Sequence, residues 1–306
     1  MVEGPTAGAR LDHALAALIG ISHAAARRLV EAGAVQRNGR RAAKGARVLA
    51  GDRITVAGAL PTAEGLSPRP QPELPLTTLL VDEDVVVVDK PAGVASHPLR
   101  AGERGTLAGA LVGRYPECAG ASVDPREAGL CHRLDTGTSG VLLAARHRVA
   151  WQALRDAFGG GRADKEYVAL VGGQVLRPGQ VDRALRHAPG DARRVECVDD
   201  DAPGALPART AYAPLSRGPA FSLVRASTST GRLHQVRAHL AAAGHPIVGD
   251  ALYGGAAVEG AGPGFYLHAA RLRIPHPRRG LLDVSAPLPE SWSPLLARLG
   301  LHDTPG

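Results

Sequence analysis

The chain has 306 residues, with 36 lysines and arginines against 29 acidic residues, for a formal net charge of +7. Its 44% hydrophobic content is enough for a core, and no apolar run approaches the roughly 20 residues of a membrane span, so a helical membrane protein is not expected. Three well-separated cysteines (Cys118, Cys131, Cys197) without a CxxC argue against a disulfide framework or cysteine zinc site, and together with the lack of a secretory signal they fit a cytoplasmic protein.

Five of the seven net charges fall in residues 1–60, and the remainder is nearly balanced. The basic residues are almost all arginine, suited to bidentate phosphate contacts, so an anionic partner such as nucleic acid is expected. In this first segment Leu11, Leu15 and Leu18 repeat at helical spacing and Gly20 breaks the run. Ser22 can cap a second helix from His23 to Ala32, ended by Gly33. Asn38-Gly39 is a tight-turn pair, and GDRITV reads as a strand. Two short helices and a small hairpin therefore make a unit over residues 9–60. The five prolines of residues 61–75 read as a semi-rigid linker, leaving a larger domain over 76–300.

In that domain two short strands flank Asp82-Glu83-Asp84, and VVVVD, apolar on both faces, is expected to be a buried strand. A helix capped by Thr106 follows, then a buried strand GVLLAAR, an amphipathic helix VAWQALRDAF and a third apolar strand KEYVALVGG. Residues 172–208 read as long surface connections, HQVRAHLAAAG as a helix closed by Gly244, and GHPIVGDALYG as a structural hairpin. This mixture without regular βαβ alternation predicts an α+β fold on a mixed, mainly antiparallel sheet with flanking helices.

Metal ligands at useful spacing are not apparent, phosphate-loop glycine patterns are lacking, and neither a metal nor a cofactor is expected. The distinctive stretch is CHRLDTGTSGVLLAAR, where His132, Arg133 and Asp135 sit in a polar loop at the mouth of a buried strand. Charges there must be paired or functional, and by pattern alone a loop salt bridge is the simpler account.

Two resemblances extend this reading. Residues 10–56 resemble the alpha-L RNA-binding motif, which implies RNA contacts from Arg27, Arg28, Arg37, Arg40 and Arg41; the same residues would also make an ordinary solvated basic face. His23 stands where that family usually has arginine. HRLDTGTSG, with VVDKPAGVASHP, DKEYVALVGG, TGRLHQVRAHLAAAGHPIVGDALYG and LHAARLRIPHP in order, resembles the RluA-type (RluD-like) pseudouridine synthases from residue 79 to about 289.

The resemblance implies an isomerase that cuts the glycosidic bond of a uridine in RNA and rejoins the uracil through carbon. Asp135 would be its catalytic carboxylate, Arg232 the cation paired with it, and Tyr167 the ring stacked on uracil. Arg133 and His132 would contact the RNA where the uridine flips out, His132, Lys90, His97 and Lys165 would also serve to fix loops or line the rim, Thr136, Thr138 and Ser139 would shape the Asp135 loop, and Asp250 and Tyr253 would brace the site. Leu233 replaces a usual threonine. Large-subunit ribosomal RNA is the implied substrate, with transfer RNA or a non-catalytic RNA-binding or ribosome-assembly role as alternatives, and a monomer is expected.

Overall fold

The computed structural model describes residues 8–19, 23–43, 45–57 and 66–302, the side chains of Ala17, His23, Ala24, Ala25, Arg28 and Ala192 excepted. Gly20, Ser22, Lys44 and residues 58–65 lie outside the described residues, as do the side chains at His23 and Arg28. The chain divides into two compact units, residues 1–67 with 123–126, and residues 68–122 with 127–306.

The smaller unit has two helices, α1 (Leu11–Ile19) and α2 (His23–Glu31), beside a three-stranded antiparallel sheet of order β2-β1-β3. Here β1 is Val35–Arg37, β2 Arg40–Arg41 and β3 Ile54–Val56. The helical leucine spacing places Leu11 and Leu15 in a core with Leu29, Val30, Val35 and Val48. Asn38 and Gly39 both adopt positive φ (53° and 77°), as a two-residue hairpin turn requires, and Arg37 pairs with Arg40 across it.

The larger unit is built on a sheet of order β4-β5-β6-β13-β7-β12-β11-β8, with β14 also paired to β13. Its strands are β4 Thr77–Val81, β5 Val85–Lys90, β6 Ser139–Ala145, β7 Asp164–Gly172, β8 Gly179–Asp182, β11 Arg209–Arg217, β12 Phe221–Thr228, β13 Leu267–Pro275 and β14 Leu281–Ser285. Among the described residues every named strand pairing is antiparallel except β6 with β13.

Apolar runs without alternation fill both faces of this sheet. Val85, Val87, Val141 and Leu143 pack with Trp151 and Leu154 of α4 (Arg148–Gly159). Val86, Val88 and Leu142, one residue out of phase, pack with Leu107 and Leu111 of α3 (Leu107–Arg114). Thr106 caps α3, its hydroxyl accepting from the Gly109 amide at 3.2 Å.

Three segments differ from the sequence reading. Residues 172–208 are not plain connections: they hold β8 at the sheet edge and an antiparallel pair, β9 (Ala184–Ala188) with β10 (Asp191–Val198). Arginine and acidic side chains along these strands hide an apolar set reduced to Ala184, Leu185, Val195 and Val198. GHPIVGDALYG is not a hairpin but a tight loop, with one bridge from Ile247 to Val171 and a 3₁₀ turn at Ala251–Tyr253. The second half of the proline-rich stretch is packed rather than free: Pro68 and Gln71 are buried, and the Gln71 side-chain oxygen accepts from the Gly105 amide at 2.8 Å.

Candidate active site

The β6–β13 pairing decides what meets at one end of the sheet. Gly140 pairs with Ala269, which pairs on its other side with Tyr167 of β7, so the loop before β6 opens beside Tyr167. Gly140 has φ 109°, and a Cβ there would lie 2.2 Å from the Ala269 carbonyl oxygen, so only glycine lets the strands approach.

The loop ending at β6 carries Asp135. Its own backbone closes a turn from the Thr138 amide to the Asp135 carbonyl (3.0 Å), but most of its support comes from the segment after β5. Lys90, fully buried, donates from Nζ to the carbonyls of Pro91 (3.0 Å), Val94 (2.7 Å) and Thr136 (3.2 Å). The Ser96 hydroxyl donates to the Leu134 carbonyl at 2.7 Å and accepts from its amide at 3.2 Å. Burial lowers the Lys90 pKa to about 8, with the Asp135 and Asp89 charges opposing that shift. Of the loop hydroxyls, that of Ser139 turns away to His268 Nδ1 (2.9 Å).

The cation on Asp135 is Arg237, not Arg232. Arg237 sits in the first turn of α5 (Gln235–Ala242), buried, with Nη1 donating to Asp135 Oδ2 at 2.9 Å. Its Nε and Nη2 grip Asp250 through both carboxylate oxygens at 2.7 and 2.8 Å, and its guanidinium lies 4.3 Å over the Phe265 ring. Burial opposes the Arg237 charge, but the Asp250 and Asp135 carboxylates outweigh it and raise its pKa. Arg232 lies before the helix in a polar loop, and its Nε donates to the Pro207 carbonyl at 3.0 Å. That loop is fastened by Gln235, which accepts from the Arg232 amide (3.1 Å) and the Thr230 hydroxyl (2.9 Å).

The sequence held a signal for Arg237. It is the one fixed charge in QVRAHLAAAG, a helix otherwise apolar enough to be buried, and a buried charge must find a partner. Arg232, after Gly231 in a run of serine and threonine, reads as exposed by the same logic.

Asp135 itself keeps 24% of its side chain exposed, and among the described residues no hydrogen bond reaches its Oδ1. Tyr167 is half-buried beside it, packed against residues of both neighbouring core clusters. Burial, and secondarily the Asp135 charge, push the Tyr167 hydroxyl pKa up, so the ring is neutral at pH 7.

Other expected residues divide sharply. Arg133 is exposed and makes no hydrogen bond or ion pair among the described residues. His132, expected to touch RNA, is instead bound to its own fold. Its Nε2 accepts from the Leu143 amide at 3.1 Å and its ring lies 4.8 Å from that of Phe158, while burial, with Lys165 and Arg155, lowers its pKa to about 3. Lys165 is buried and donates to the Thr230 carbonyl, and a ring nitrogen of His97 lies 3.2 Å from the Pro98 carbonyl. Asp250 braces Arg237, and Leu233 joins an apolar cluster with Leu185, Val195 and Tyr253.

In the smaller unit, Arg27 pairs with Glu31 (3.1 Å) and Arg37 with the buried Asp52 (2.6 Å), whose Oδ1 also accepts from Asn38 (2.7 Å). Arg40 and Arg41 are exposed, the Arg41 guanidinium lying over Gly33.

Asp82, Asp84 and His276 bring possible metal-ligand atoms within 4.8 Å of one another. Arg279 and Arg278 donate to the same two carboxylates at 2.8 Å each, so two guanidinium charges already occupy this cluster.

Comparison with known proteins agrees with this layout. The family of RNA pseudouridylate synthases matches residues 84–242, and the S4 domain matches residues 9–54. A protein of Chloroflexus aurantiacus described as an uncharacterized RNA pseudouridine synthase is 38% identical over 98% of this chain and 93% of its own length. A ribosomal large subunit pseudouridine synthase D of Xanthomonas campestris is 34% identical over 98% of this chain and 91% of its own. Among solved structures, human RNA pseudouridylate synthase domain containing 1 superposes with a TM-score of 0.56 at 27% identity, covering 76% of this chain and 97% of that one.

Proposed function

This chain belongs to the RNA pseudouridylate synthase family, and on that premise we propose that it isomerises uridine to pseudouridine in large-subunit ribosomal RNA. The names of several relatives favour that RNA over transfer RNA, and a cytoplasmic location goes with it. In the reaction the bond from C1′ to N1 breaks, uracil turns, and C1′ bonds to C5; a proton leaves C5 and N1 gains one. The exchange is redox-neutral, and what it demands is a group that stabilises an electron-poor sugar and is regenerated.

One observation carries the assignment of Asp135 to that role. Its Oδ2 is fixed by a buried arginine while Oδ1 is left open to a partly exposed site beside a neutral tyrosine. Arg237 fixes the carboxylate's orientation and Tyr167 offers a ring face to the detached uracil, which must turn without escaping. Arg232 and Arg133, solvent-facing by comparison, suit contacts to the RNA backbone around the flipped nucleotide. One chain supplies the whole set, consistent with a working monomer. The S4 domain at the start of the chain supplies the hold on RNA, with the exposed Arg40 and Arg41 among its charges.

The test uses unmodified large-subunit ribosomal RNA and transfer RNA incubated with wild-type and Asp135→Asn protein, followed by chemical mapping of pseudouridine. New pseudouridine in the ribosomal RNA with wild type alone is the expected result. Modification of transfer RNA alone reassigns the substrate, and equal modification by both proteins, or none by either, overturns the reading.

A further inference from the structure

His234 precedes α5 with φ 51° and ψ 22°, in the left-handed region that non-glycine residues rarely adopt. It stands at the helix N-cap position, yet its side chain makes no capping bond. The strain is therefore not explained by the helix, and the ring's surroundings show what it serves.

The ring is largely buried and stands edge-on to Tyr253, with centroids 5.8 Å apart. Nδ1 lies 3.1 Å from the Tyr253 hydroxyl oxygen. That oxygen also lies 3.1 Å from the Val195 amide of β10. A backbone N–H can only donate, so the hydroxyl accepts from Val195 and has its own hydrogen to give to Nδ1. An Nδ1 that accepts leaves the proton of the neutral ring on Nε2. Nε2 faces Asp135 Oδ2 at 3.8 Å, the same oxygen that Arg237 holds at 2.9 Å. The opposite tautomer would turn a lone pair toward that carboxylate.

We propose that His234 is a positioning residue for the isomerisation: Tyr253 fixes its tautomer, its Nε2–H is aimed at Asp135 Oδ2, and with Arg237 it turns Oδ1 toward the ribose. The proposal rests on the assignment of Asp135 to the reaction. At 3.8 Å the contact is longer than a hydrogen bond, and it closes when RNA excludes water from the site, as catalytic contacts commonly do. Leu233, next in the chain, packs with Val195 and Tyr253 and so holds the same three-element junction together.

The charged and titratable groups facing His234 are Asp135, Arg237, Asp250, Arg133 and Tyr253. Burial lowers the His234 pKa below its usual value, Asp135 and Asp250 oppose that, and Arg237 and Arg133 reinforce it. The ring is then neutral at pH 7, and adding a proton at Nδ1 in acid would displace the Tyr253 hydroxyl.

Nitrogen-15 NMR of histidine-labelled protein reads the tautomer directly, and we expect the Nε2–H form in wild type and a mixture in Tyr253→Phe. On RNA, His234→Ala should lose on the order of 10²-fold in kcat with KM little changed, the scale of a misplaced reacting group. His234→Gln, which restores an amide donor near the Nε2 position, should recover about tenfold of that loss. Wild type should lose kcat as pH falls through a pKa below 6.5, and both variants should lack that acid limb. An Nδ1–H tautomer in wild type, full kcat in His234→Ala, or equal losses in the alanine and glutamine variants with matching drops in Tm would each overturn the proposal. An active Asp135→Asn protein would overturn the underlying assignment instead, leaving the tautomer measurement to stand on its own.

Discussion

In the smaller unit Arg40 and Arg41 occupy a two-residue strand with both side chains exposed, and Arg27 pairs with a neighbour one helical turn away. In the larger unit Arg237 is 6% exposed and divides its guanidinium between two carboxylates, while Lys90 is 0% exposed and ties three carbonyls together. A solvated charge is screened, replaceable and cheap to move, which suits attraction of a polyanion. A buried charge is held in one geometry by everything around it, which suits fixing a reacting carboxylate within a fraction of an ångström. Net charge counts both kinds alike, so the contrast is visible only once burial is known.

Substitutions at the two kinds of site should separate accordingly. The largest effect is expected from Arg237→Ala, which strands the buried Asp250 carboxylate: a loss of about 3–5 kcal/mol in chemical denaturation, together with loss of uridine isomerisation. Lys90→Met should cost about 2–3 kcal/mol by leaving buried carbonyls without a donor, measured in the same way.

The Lys90 variant also carries a pH signature. Burial lowers the folded-state pKa to about 8 from an ordinary 10.5, so the penalty for the charged form is fully present below pH 8. Between these values the unfolded chain binds more protons than the folded one, so wild-type stability rises with pH across that window. Relative to Lys90→Met, the gain should approach about 3 kcal/mol by pH 10.5. A flat difference would mean that the ammonium is better solvated than its burial indicates.

Arg40→Ala combined with Arg41→Ala should leave stability and kcat on a short RNA unchanged. It should reduce the slope of log affinity against log salt by about 0.7–0.9 for each phosphate that the double variant no longer neutralises. The smallest effect is expected from Arg232→Ala, within about 0.5 kcal/mol in stability, because its side chain donates to one carbonyl at the surface. A large destabilisation there, or a small one at Arg237, would erase the distinction between solvated and buried arginines.

The strands of the larger unit were legible wherever burial is two-sided, because VVVVD and GVLLAAR leave no room for a polar face. The β9–β10 pair was not, since its strands bury few side chains and pair mainly with each other. At the site, motif resemblance singled out Asp135, in the loop before β6, and Tyr167 on β7, which the fold brings together across the intervening β13. It chose the wrong arginine for the carboxylate because two stand five residues apart in TGRLHQVR, and only helix burial tells them apart. His132 misled in the same way: a histidine in a polar loop looks available, but its acceptor nitrogen is taken by a strand amide eleven residues on.

Asp135 and the arginine that holds it are separated by 102 residues of chain, and the arginine's second anchor, Asp250, comes later still. During synthesis the small basic unit is complete and free to fold while the carboxylate still lacks its cation, and the β9–β10 pair and α5 must both be made before the two can meet. The order of residues therefore acts as a timer. A nascent chain acquires its basic unit early and a finished active site only once residue 250 has been made, so products truncated before that point would carry the first property without the second.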